Sequence, residues 1–227
     1  MVVKIQSLAR GFLCRLKQLP MILYIIQKYL KKKNLQLSQK NKDGRVNSSL
    51  DEDHIIDILK KKYRKRMKIP NIRMWYDLLL YDRMYGWIPV NIKSTTMKTN
   101  DNTGNLAMCV YAYTDEYLNL DKNYHNGMMS KLLFQKLKFK KYNLSYKKDY
   151  YFIVINKTDT QDIVVNSVKG LTKLCPNINN LPYQVCWDKN RTYQYRPLHR
   201  VVQSFIDCLK VNNPGWKNIF MNSIQLL

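Results

Sequence analysis

The sequence predicts an α/β domain in which helices flank a mixed β-sheet, with a helical segment ahead of it. Three observations carry this expectation. The stretch DEDHIIDILKKKYRKRM (51–67) has the charge order of a helix, and the runs RMWYDLLLYD (73–82) and GWIPVNIKST (86–95) after it have strand character around a short polar break. Beyond them, patterns alternate as helix, strand, strand and helix. A hydrophobic content of 45% in 227 residues suffices for one sizeable core, or one domain with an appendage.

Taken in order, residues 2–30 set Ile5, Leu8, Phe12, Leu16 and Leu19 at helical spacing up to Pro20, which ends or kinks the helix, and a second apolar helical pattern runs to Leu30. The segment 1–30 is therefore expected as helical, 31–48 as a basic polar linker, and 49–227 as the α/β domain. Ser49 followed by Glu52 matches a capping box that opens the next helix, with acids in its first turn and bases in its last. NLAMCVYAYT (105–114) suits helix or strand and is read as a helix against the sheet; GMMSKLLFQKLKF (127–139) reads as an amphipathic helix. YYFIVINK (150–157) and DIVVNSV (162–168) read as strands about the turn TDTQ, and LPYQVCWDKN (181–190) as another. RPLHRVVQSFIDCL (196–209) closes as a helix ended by NNPGW.

Charge narrows the partners. Lys and Arg total 39 against 16 Asp and Glu, a formal +23 spread along the chain, which favours a polyanion or an anionic membrane face. The abundance of Asn, Lys, Ile and Tyr is a bias that an AT-rich coding sequence also produces. No apolar run is long enough for a spanning helix, and Lys4, Arg10 and Arg15 interrupt what would be a signal peptide's core, so the protein is expected inside a cell and off the membrane. Five cysteines with no Cys-x-x-Cys pair and no His at ligand spacing argue for reduced thiols rather than a zinc site. His54, His125 and His199 form no triad spacing with a nucleophile, and no Gly-rich phosphate loop is present.

The hairpin carries the chemistry. If its strands pair around a loop centred on Met84, Asp77 faces Asn91, and Lys93, two residues on, points to the same side. Two oxygen donors beside an ammonium suit a hard cation such as Mg²⁺ held with water and phosphate oxygens, and Lys93 would orient the attacking water or neutralise developing charge. Asp82 lies by the turn and reads as a turn-stabilising side chain or a second ligand.

This order of residues resembles the PD-(D/E)xK nucleases, the type II restriction endonuclease-like superfamily, over about residues 45–200. Asp77 looks like the family's first metal ligand, Asn91-Ile92-Lys93 followed by Ser94-Thr95 like its Glu-x-Lys, and Glu52 like its acidic helix residue. The resemblance implies a restriction endonuclease-like fold and a Mg²⁺-dependent DNA endonuclease, with Asp77 and Asn91 on the metal, Lys93 positioning water and Glu52 assisting. Two departures stand out: Asn91 replaces a charged Glu, and Tyr76 stands where the family's name has Pro. A catalytically inactive nucleic-acid-binding module is the alternative.

Lys60, Lys61 and Arg64, within KKKYRKRMK, and Lys157 are candidates for phosphate contacts, against the plainer reading of solvated charges. CPNINNLPYQVCWDKNR (175–191) is suited to base contacts or is simply a polar loop leading into a strand. At the N-terminus, Ile5, Gln6, Arg10, Gly11 and Arg15 resemble an IQ motif, which implies a calmodulin-like partner and a third reading, an interaction protein recruited through that helix. Cutting both strands of a palindrome would imply a homodimer by symmetry.

Overall fold

The computed structural model describes residues 18–37, 44–70, 74–103, 105–114, 116, 118–138, 148–177 and 182–211. Its helices are α1 (Met21–Lys31), α2 (Gly44–Tyr63), α3 (Leu106–Thr114), α4 (Asn126–Lys138) and α5 (Leu198–Lys210). Its strands are β1 (Met67–Lys68), β2 (Leu78–Asp82), β3 (Gly86–Thr95), β4 (Asn100–Asp101), β5 (Tyr151–Asn156), β6 (Ile163–Ser167), β7 (Leu174–Pro176) and β8 (Tyr183–Cys186). The IQ-like residues Ile5, Gln6, Arg10, Gly11 and Arg15 lie outside the described residues. No helix among those described is long and apolar enough to cross a membrane.

The main sheet is mixed, in the order β1-β2-β3-β5-β6. Among the described residues its one parallel pair is β3 with β5; the others are antiparallel. β5 is buried on both faces through Ile155, as expected of a central strand with a near-continuous apolar sequence. Period-two alternation sends Leu78, Leu80, Val90, Ile92, Ile153 and Ile155 to one face, against Leu23, Ile26 and Leu30 of α1 and Ile55 and Leu59 of α2. Leu79, Phe152, Val154 and Val164 go to the other, beneath α3 and Val201, Val202 and Phe205 of α5. All nine residues of α3 are buried, which accounts for apolar side chains all around it.

One turn fixes the register of the hairpin. Asp82 Oδ1 accepts from Met84 N (2.9 Å) and Tyr85 N (3.3 Å), an Asx turn, and Gly86 follows at φ +71°, a conformation open to glycine. The hairpin is thereby centred on Met84, with Leu78 opposite Val90 and Leu80 opposite Ile88. The second oxygen of Asp82 accepts from Ile22 N at 3.2 Å, capping α1 from across the fold. This carboxylate is structural and is no ligand of the hairpin site.

The structure departs from the sequence expectations in two places. α2 begins at Gly44, inside the stretch read as linker, so Ser49 and Glu52 sit within the helix and do not open it, and its first turn holds no acid. α1 and α2 share one apolar core with the sheet. The strand at 183–186 does not join the main sheet: it forms the centre of a small antiparallel sheet, β4-β8-β7. Trp187 beside it is fully buried and its indole donates to Asp101 Oδ2, while Asn190 ties Thr172, Lys173 and Cys186 together, so these two side chains brace the fold.

Candidate active site

The site sits where β2 and β3 part. Their register would set Asp77 opposite Asn91, but the ladder ends at Leu78, and the Asp77 amide donates to Val90 O (3.1 Å), one residue out of step. Past that fork β3 runs on with β5 alone at its side, which leaves its outward amides without a strand to bond. Two carboxylates take them: Ile92 N donates to Asp77 Oδ2 at 2.7 Å, and Ser94 N donates to Glu52 Oε1 at 3.4 Å. One residue earlier on α2, Asp51 is buried and accepts from Ser94 Oγ at 3.1 Å, which fixes the helix rotation and directs Glu52 toward the fork.

Glu52, Asp77, Asn91 and Lys93 all line one open cleft of about 620 Å³, so three separate chain segments bring the four expected catalytic residues together. Asp53, Asp57 and Lys60 line it too, one turn apart on the face of α2 that carries Ile56. Lys60 is one of the expected phosphate contacts, whereas Asp53 and Asp57 are not among the expected site residues; their i, i+4 spacing on that face is the signal that points to them. Burial pushes the Glu52 carboxyl up to about 7; Asp77 adds to the rise, and the Lys93 ammonium opposes it. Glu52 therefore carries a proton part of the time near neutral pH.

Asn91 has a reason to be an amide. The Tyr150 hydroxyl donates to Trp75 O at 2.9 Å, so its oxygen can only accept a further bond, and the Asn91 side chain supplies one. A carboxylate there has no proton to offer. With its NH₂ committed, Asn91 Oδ1 is closed off from solvent and has no partner among the described residues. Such an orphaned acceptor costs stability unless something binds it. Asn91→Asp, in chelator, should cost about 1–3 kcal/mol in denaturant unfolding, and much less in a Tyr150→Phe background. Equal costs in the two backgrounds would mean that the amide and the phenol are not coupled.

These donors are hard oxygens: the carboxylate of Asp77, the carbonyl of Asn91 and the carboxylate of Glu52. They suit Mg²⁺ better than a soft metal, and the orphaned Asn91 Oδ1 fits a cation. Among the described residues no group of three or more His, Cys, Asp or Glu side chains is arranged to hold a metal, so a cation here would rest on few protein ligands.

The phosphate candidates divide. Lys60 lines the cleft. Lys61 is exposed on the last turn of α2 and is not part of the cleft wall. Arg64 lines a separate basic groove with Lys62, Tyr63, Lys65 and Arg66. Lys157 donates from Nζ to Ser48 Oγ at 2.7 Å and lies off the cleft. Trp75, which lines the cleft, and Tyr150, whose hydroxyl donates to Trp75 O, carry no sequence signal, since aromatic residues beside a strand are ordinary core. Comparisons with family models, with curated proteins and with solved structures return no match for this chain.

Proposed function

We propose that the protein is a Mg²⁺-dependent endonuclease that hydrolyses DNA phosphodiester bonds, and that its mixed α/β domain is restriction endonuclease-like. The observation that carries this reading is the convergence of Glu52, Asp77, Asn91 and Lys93 on one open cleft. The order of a helix bearing Glu52, a strand entered through Asp77 and a strand bearing Asn91-Ile92-Lys93 supports the fold assignment. The formal charge of +23 suits a polyanionic substrate.

The residues divide the work. Asp77 and Asn91 would hold the cation, Asp77 already being oriented through its bond to Ile92 N. When bound, Mg²⁺ supplies charge neutralisation at the phosphate and acidification of water. Lys93, on the same face of β3 as Asn91, holds the attacking water in line or offsets charge developing on the phosphate oxygens. Glu52, with a proton affinity near neutrality, is suited to exchange a proton with that water or with the leaving oxygen. Lys60 at the cleft wall meets the backbone of the bound strand.

A second reading has its own support. Asn91 is engaged by Tyr150, and Asp77 and Glu52 each bond a strand amide, an arrangement that would also suit a nucleic-acid-binding module without catalysis. Purified full-length protein separates the two. The endonuclease nicks supercoiled plasmid with Mg²⁺ and stops on addition of chelator. The binding module retains DNA in a salt-dependent way and leaves the plasmid intact with or without Mg²⁺.

A further inference from the structure

Beside the cleft lies a second space, of about 660 Å³, with different chemistry. Met74, Trp75 and Asn105 line both, so the two are neighbours across a shared wall. Its remaining walls include Asn123, Tyr124 and His125, and among the described residues none of its lining side chains is a Lys, Arg, Asp or Glu. A phosphate backbone finds no fixed counter-charge there. An aromatic ring and amides are what a nucleobase uses, through stacking and edge hydrogen bonds.

The fittings are local and ordered. Tyr124 is half-buried, its hydroxyl accepts from Asn119 N at 2.7 Å, and the Lys122 ammonium stands 5.9 Å from its ring centre. These contacts hold the ring in place. Asn123 Oδ1 accepts from Tyr124 N at 3.0 Å, which turns its NH₂ group away from the backbone. Asn105 is spent on structure, donating to Trp75 O and accepting from Met108 N, and so keeps the shared wall rigid.

We propose that this annex receives an unstacked base next to the phosphate held in the cleft, and that the preferred substrate is single-stranded DNA. The proposal rests on the nucleic-acid reading of the cleft and adds the strand state. A base inside a duplex is stacked on both faces and enters a side pocket only after being drawn out, whereas a single strand offers its bases without that cost.

The test is equilibrium binding in chelator, where no cutting occurs, of a labelled oligothymidylate and a hairpin duplex of equal length. The single strand should bind at least about tenfold more tightly than the duplex, and Tyr124→Ala should lose about tenfold on the single strand with the duplex unchanged. Tyr124→Phe, which keeps the ring but gives up the bond from Asn119 N, should retain most of the affinity that Tyr124→Ala loses. An oligothymidylate with abasic sites should lose a similar factor against the unaltered protein, so the result does not depend on a variant that folds. Equal affinity for the two DNAs, or a Tyr124→Ala protein that holds the single strand normally, overturns the annex while leaving plasmid nicking to stand. Binding of neither DNA overturns the annex and the nucleic-acid reading together.

Discussion

Lys93→Ala is expected to lower Mg²⁺-supported plasmid nicking at least about 100-fold, a loss of the size seen when one preorganised charge is removed from a transition state. Lys93 is half-buried on β3, its neighbour Ser94 is held by Asp51 and Glu52, and nothing in the hydrophobic cores depends on it. The variant should therefore unfold near the wild-type midpoint, which separates lost chemistry from lost structure. A second readout follows from Glu52. Its folded carboxyl sits at about 7 against an ordinary 4.5, so it adds stability that is complete below pH 4.5 and lost as pH rises through 7. The Lys93 ammonium opposes that rise, so its removal drives the Glu52 carboxyl higher still. If Glu52 must ionise for cutting, the acid limb of the residual pH–rate profile moves to higher pH in Lys93→Ala and stays in place in Lys93→Arg. A Lys93→Ala protein that cuts like wild type removes the nuclease reading.

What could be seen in the sequence, and what could not, follows the range of the interactions. The hairpin was legible because its register rests on local chemistry: the Asp82 turn, Gly86 and strict alternation through Leu78, Leu80, Val90 and Ile92. The same alternation put Asn91 and Lys93 on one face. The start of α2 was not legible, because the Ser49–Glu52 pattern is a valid cap in isolation, whereas burial of Ile55 and Leu59 against the sheet sustains a helix that starts earlier. The small second sheet was invisible for a related reason. Its strands are two to four residues long and join residues 100–101 to 183–186, too short and too distant for periodicity to register.

The roles of the site residues were partly hidden as well. A pattern of Asp, then Asn-x-Lys, points to a cation and an ammonium, but it says nothing of the fork that leaves Ile92 N and Ser94 N without partners. Asp77 and Glu52 fill that gap, so their carboxylates have a structural duty whatever else they do. Asn91 is the sharper case. From sequence it reads as a lost carboxylate; in the fold its NH₂ is what the Tyr150 oxygen needs, and the carbonyl oxygen that remains is closed off from solvent with no partner among the described residues.

The largest stability effect should come from the other end of β5. Lys169 is 1% exposed and Asp149 3%, two charged groups within the core. Lys169 Nζ donates to Lys148 O at 2.5 Å, and Asp149 Oδ1 accepts from Tyr150 N at 2.8 Å and Lys169 N at 3.2 Å. Burial pushes the Asp149 carboxyl up to about 6, with the Lys169 charge holding it down against a further rise. The Lys169 charge is what offsets the buried Asp149 carboxylate, and removing it leaves that carboxylate uncompensated, so Lys169→Met should destabilise the protein by about 3–5 kcal/mol at pH 8. The sign of its pH dependence is determined. A carboxyl raised in the folded state gives up stability as pH rises through its folded value, and without Lys169 that value moves upward, so the variant goes on losing stability above pH 6 where the wild type has levelled off. The deficit should shrink by about 1.4 kcal/mol per unit as pH falls from 8 toward 6. Asp149→Asn added to Lys169→Met keeps the acceptor for both amides and removes the stranded charge, and should recover most of the loss. Urea unfolding of the two variants across that pH range decides the matter: a deficit independent of pH, or no recovery in the double variant, would mean that Lys169 acts through packing and not through its charge.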